Sequence, residues 1–166
     1  MDISNTSRTR PIARQHQFAL LVVMLCLGLL VRIPYLTKVG FYLDMKWTVE
    51  RVHLIVYETG LLSIYQATDT NYPPLYLAFL GSVGTVQTLR GLPILSPTGT
   101  DWDSGLLILI KILPLLAELS LICFIWLWVS ELRLRLIITL ILTFTPGLFL
   151  DSAWWGQSDA ILALFL

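Results

Sequence analysis

Asp44 stands just past the first long apolar run, between the aromatic residues Tyr42 and Trp47. A carboxylate placed at the edge of an apolar layer can act as a general base, taking a proton from a hydroxyl nucleophile. Its plainer use is as a wetted acid in a loop. The stretch "NYPPLY" holds Tyr72, Pro73, Pro74 and Tyr76. Either proline suits the first turn of a helix, where its missing donor does no harm, and Asn71 is placed to cap it. Tyr72 and Tyr76 are four apart and share a face. They serve as interface anchors, or as hydroxyls that hold a sugar or phosphate oxygen.

Two further groups carry chemistry. Lys111 and Glu118 lie seven apart in one apolar segment, with Pro114 between them. Ionisable residues at membrane depth pair with each other or face a polar interior. A structural ion pair and a polar relay are both open. "DSAWWGQSDA" offers Asp151, Trp155, Gln157 and Asp159 among aromatics. It reads as a capped turn or as a sugar-contacting rim, with Gly156 allowing close approach of backbone or ligand. Metal binding is weakly supported. His16 and His53 are the only histidines and are far apart. There is no glycine-rich phosphate loop and no serine-hydrolase elbow.

The elements that must hold these groups are membrane helices. The 166-residue chain is 56% hydrophobic and only 13% charged, with mean hydropathy +0.76. A soluble domain carries about 25% charged residues. The net charge of +0 gives no basic field for nucleic acid. Cys26 and Cys123 lie in apolar runs, as small buried hydrophobes do. The fold class is therefore all-α and polytopic. Residues 1–17 form a cytoplasmic tail, and 18–166 belong to one transmembrane domain. Helices are expected at about 18–36, 72–90, 105–130 and 134–150. A fifth, from 153, is still apolar at Leu166, as if the chain stopped in mid-helix. The first run ends in "VRIPY" without a small-residue cleavage site, so it reads as a retained helix rather than a signal peptide.

Between the first two helices, residues 37–71 form an interfacial loop with a helix of its own. Met45, Val49, Val52 and Val56 repeat at helical spacing on one face. Asp44, Arg51 and Glu58 lie on another, with Trp47 on their side. Lys46 and Glu50 can pair weakly, and Gly60 is a stop signal. An amphipathic helix along the interface is the natural reading.

Arg8, Arg10 and Arg14 argue for a cytoplasmic N-terminus. If every long helix crosses once, Arg133 and Arg135 fall outside, and Asp151 falls opposite Asp44. Either the charge rule fails, or one segment is re-entrant or broken. Pro114 and the short second segment are the candidates.

The order "VRIPY", Asp44, "GLLSIYQ", "NYPPLY", "KILPLLAEL", "TPGLFLDSAWWGQSDA" resembles the N-terminal part of the GT-C superfamily of integral-membrane glycosyltransferases. It is closest to bacterial mannosyltransferase-like proteins, and more distantly similar to the dolichyl-phosphate-glucose-dependent glucosyltransferases. The likeness spans essentially the whole chain but only about the first third of such an enzyme. It implies that the chain alone is inactive. It also implies a multi-pass protein of the bacterial inner membrane, an inverting transfer and no cofactor. The donor would be a hexose, mannose among them, on a polyprenyl phosphate. The acceptor would be a lipid-linked glycan or a protein. Asp44 matches the catalytic base. Tyr72, Pro73, Pro74, Tyr76, Trp155, Gln157 and Asp159 would shape the cavity. Arg32, Lys38 and Arg51 are the cations nearby, and no family motif chooses among them; Arg51 is counted with the substrate- and donor-binding residues. Glu118 stands where relatives commonly have Asp. The rivals are a transporter or lipid-binding protein using Lys111 and Glu118 as a relay, and a structural membrane subunit.

Overall fold

The computed structural model describes residues 10–95, 101–156, 159, 161 and 163. No strand occurs among them. The elements are α1 (Arg10–Leu36), α2 (Tyr42–His53), a π-turn (Leu54–Glu58), α3 (Gly60–Ala67), α4 (Pro74–Leu89), α5 (Ser104–Trp128), α6 (Leu132–Phe144), α7 (Pro146–Phe149) and a second π-turn (Leu150–Trp155).

Among the described residues, two helices are long and apolar enough to cross a bilayer: Gln15–Leu36 and Ser104–Trp128. A third span arises if α6 and the segment Pro146–Trp154 count as one, bent by 48°. The bend has a local cause. Pro146 has no N–H to donate, and it forces Thr145 into extended backbone (φ −66°, ψ 119°). Large side chains on the long helices face outward, including Phe18, Leu30, Phe124, Leu127 and Trp128. Such a belt is stable in lipid and costly in water. α1 starts at Arg10, so part of the expected tail is helical.

Contacts along the helices fix their sense. Trp126, near the end of α5, packs on Leu21 and Met24 near the start of α1. Lys111, near the start of α5, bonds carbonyls at the end of α1. The two helices are antiparallel. α6 then returns alongside α1. Arg135 bonds Gln17, Thr143 meets Gly28, and the rings of Phe149 and Trp154 each lie 5.6 Å from Tyr35. One end of the bundle thus carries the starts of α1 and α6. The other carries residues 36–44 and the turn at 150–156.

The second apolar segment departs from expectation. α4 has 16 residues, falls short of a span, and keeps both ends at the Asp44 end of the bundle. Near its start, Tyr76 reaches Gly156. At its finish, Gln87 and Arg90 reach Asp103, the N-cap of α5. Asp103 lies beyond the end of α1, because Lys111, two turns further into α5, already touches that end. α4 therefore lies across the first turns of α5. Hydropathy alone cannot separate such a helix from a span, since protein buries one of its faces instead of lipid.

α2, α3 and α4 form a cap with its own core. Met45, Val49 and Val52 are fully buried with Leu77, Leu80, Leu106 and Ile110. Val56, the fourth residue of the expected stripe, is half-buried against the same core. α4 approaches α2 and the first π-turn closely at Gly84, where a Cβ would come within 2.7 Å of Val52 Cγ1 and 2.5 Å of Val56 Cγ2. The Lys46–Glu50 pair forms at 3.8 Å, between half-exposed side chains. Gly60, at φ +70°, breaks the chain between the first π-turn and α3. The expected stop is a turn into a further short helix. Asn71 does not cap α4. The N-cap is Pro73, which has no side-chain bond to offer, and Pro74 fills the first position.

Candidate functional site

The polar residues gather in two layers. The outer one lies on the cap. Asp44 is half-buried in the first turn of α2, where the helix dipole favours a carboxylate. Its carbonyl accepts from Thr48 Oγ1 at 2.9 Å. Arg51 follows two turns later on the same face. Its guanidinium lies over the Tyr72 ring, 4.8 Å from the centroid. Its Nε is buried and, among the described residues, has no hydrogen-bond partner. A hollow of about 160 Å³ opens here, lined by Trp47, Glu50, Arg51, Leu54 and Thr68. Glu58, expected on this face, instead lies 3.4 Å from His53 Nε2.

The YPPLY segment joins this layer to the later turn. Tyr72 and Tyr76 meet edge to face at 5.2 Å. Tyr65 donates to the Tyr72 carbonyl at 2.7 Å. Tyr76 is almost fully buried and donates to the Gly156 carbonyl at 3.2 Å. Burial, with the neighbouring Tyr72 second, raises the Tyr76 phenol above its ordinary value and keeps it a donor. Gly156 takes φ +70° with Lys111, Met45 and Ile110 around it. A Cβ there would lie 3.0 Å from Lys111 Cγ. The close approach expected at this glycine is an approach of protein to protein. Gly40, at φ +72°, packs on Trp154 so closely that a Cβ would sit 2.2 Å from the Trp154 carbonyl oxygen. The loop before Asp44 and the turn after Asp151 therefore share one end of the bundle. Of the two candidates for the topological break, the short second segment provides it. Pro114 sits inside a continuous α5.

The inner layer is a buried charge cluster. Arg32 is fully buried on α1. Its Nε donates to Glu118 Oε2 at 3.1 Å, and its Nη2 to Glu118 Oε1. Its Nη1 donates to the carbonyls of Gly28 at 2.8 Å and Thr143 at 3.0 Å. Ser152 donates to Glu118 Oε2. Four elements, α1, α5, α6 and the second π-turn, meet at this knot. Lys111 takes no part in it. Its ammonium donates to the carbonyls of Tyr35, at 2.9 Å, and Lys38, closing the open end of α1. The two charges of α5 thus have separate partners on α1. Arg32 had only weak sequence signals: a cation inside an apolar helix, four residues after Gly28.

Asp159 lines a second cavity, of about 190 Å³, with Glu118 and Asp151. It is on the inner side, away from the Tyr72–Tyr76 rim. Trp155 belongs to the second π-turn, and Gln157 lies outside the described residues. Among the described residues no three His, Cys, Asp or Glu side chains converge as metal ligands would. No family model, curated protein or solved structure matches the chain.

Proposed function

We propose that the chain is a membrane-embedded glycosyltransferase module that takes a sugar from a polyprenyl phosphate. One observation carries this reading. On a single face of α2, a carboxylate, Asp44, precedes by two turns a cation, Arg51, held on an aromatic ring with a buried donor unsatisfied. A buried N–H without a partner costs about 1–3 kcal/mol, so a phosphate oxygen at that point is favoured. In this reading Asp44 takes the proton of the acceptor hydroxyl, and that oxygen attacks C1 of the sugar. The bond from C1 to the phosphate oxygen breaks, and Arg51 neutralises the departing phosphate. Trp47 and Tyr72 supply flat faces for the sugar or the first isoprene units. The acceptor is a lipid-linked glycan or a protein.

Arg10, Arg14, Arg133 and Arg135 belong to the end opposite Asp44, and Lys38, Lys46, Arg51 and Arg90 balance them in number at the cap end. In this reading the arginines that flank the first span set the orientation, with their end in the cytoplasm and the cap at the outer face of a bacterial inner membrane. The conflict in the sequence reading disappears once α4 does not cross. A second reading, a transporter, is favoured by the broken span α6–α7 beside Glu118. Replacing Asp44 by Asn separates them. Loss of sugar transfer supports the transferase, and unchanged transfer sinks it.

A further inference from the structure

At the arginine end, α1, α5 and α6 enclose an apolar groove of about 390 Å³. It is lined by Phe18, Leu21, Cys123, Trp126 and Leu127, with Gln17 and Arg135 at its rim. Arg135 is fixed in place. Its Nε donates to the Val129 carbonyl at 2.7 Å, Nη1 to Gln17 Oε1 at 3.2 Å, and Nη2 to the Ser130 carbonyl at 3.5 Å. The guanidinium also lies over the Trp126 ring, 5.4 Å from the centroid. All its fixed partners are neutral, and among the described residues it forms no ion pair with a carboxylate. Arg133 is exposed two residues earlier on α6, on a different face of the helix from Arg135, and Arg10 and Arg14 belong to the opening turns of α1. Glu131 is the sole acid of the α5–α6 connection.

We infer that this groove binds an anionic phospholipid, its acyl chain along Phe18, Leu21 and Leu127 and its headgroup phosphate on Arg135. The charge complementarity is specific. A pre-oriented guanidinium with no carboxylate partner sits at the polar mouth of an apolar slot, among further arginines. Basic pockets between transmembrane helices on the cytoplasmic side recognise such headgroups. A zwitterionic lipid fills the slot equally well but gains less from the arginines. This site is at the opposite end from Asp44 and does not depend on the transferase reading.

The test is native mass spectrometry of the detergent-solubilised chain with phosphatidylglycerol or phosphatidylcholine of matched acyl chains. The unchanged chain should retain phosphatidylglycerol about fivefold better. Arg135→Gln should remove that preference, and Cys123→Phe, which fills the slot, should weaken both lipids. Arg135 also ties the α5–α6 connection, so Arg133→Gln is the companion variant. It should lower phosphatidylglycerol retention with helix content unchanged. Equal retention of the two lipids by the unchanged chain overturns the inference. So does an undiminished preference in a folded Arg135→Gln or Arg133→Gln protein, or occupation of the groove by a second copy of the chain in place of lipid.

Discussion

The Arg32 guanidinium holds the Glu118 carboxylate through two of its nitrogens, linking α1 to α5 deep in the bundle. The remaining Arg32 nitrogen takes two backbone carbonyls, and Ser152 completes the carboxylate's shell. Removing one partner strands a buried charge. Glu118→Gln should therefore destabilise the chain by about 3–5 kcal/mol. The double variant Arg32→Met with Glu118→Leu should recover most of that loss. Denaturant unfolding in micelles reads both, and a single variant as stable as the parent contradicts the pairing.

Lys111 makes a separate prediction. Its ammonium satisfies carbonyls at the end of α1. Lys111→Met should cost about 1.5–3 kcal/mol locally. Amide exchange around Lys38 should speed up while exchange near Glu118 stays slow. Equal acceleration at both places would mean that the two charges of α5 form one unit.

The left-handed glycines separate strain from crowding. Among the described residues, nothing lies within 4 Å of where a Cβ on Gly60 would sit, so Gly60→Ala carries backbone strain alone, about 1–2 kcal/mol. Gly40 has the same hand of backbone, with the Trp154 carbonyl in the way. Gly40→Ala should lower the unfolding midpoint well beyond Gly60→Ala. Equal shifts would show that Gly40 does not pack on Trp154.

The place of α4 is open to labelling. Single cysteines at Asn71, Leu89 and Glu131, all exposed, are made after removing Cys26 and Cys123. An impermeant thiol reagent should reach positions 71 and 89 from one side and 131 from the other. Labelling of 71 and 89 from opposite sides would restore α4 as a span.

Much of the local pattern was legible in the sequence. The stripe Met45, Val49 and Val52 is buried as its spacing requires, because a helix face is set by residues a few positions apart. Gly60 and Gly156 mark real breaks for the same local reason. Partners across the fold were not legible. Lys111 and Glu118 share a helix face and invite pairing, but each finds α1 instead, and no spacing rule links residue 118 to residue 32. Depth was also hidden. α4 is as apolar as a span because α2 and α5 cover one of its faces. The meeting of Tyr76 with Gly156 joins two motifs that the sequence offers only in order.

The most direct test of the central claim is sugar transfer by reconstituted protein carrying Asp44→Asn, assayed with a labelled polyprenyl-phosphate sugar. The Asn keeps the size of the side chain and removes the base. Transfer should fall by about 10²–10⁴-fold, with membrane insertion and the thiol-labelling pattern unchanged. Transfer at the parental rate by correctly inserted Asp44→Asn protein would contradict it.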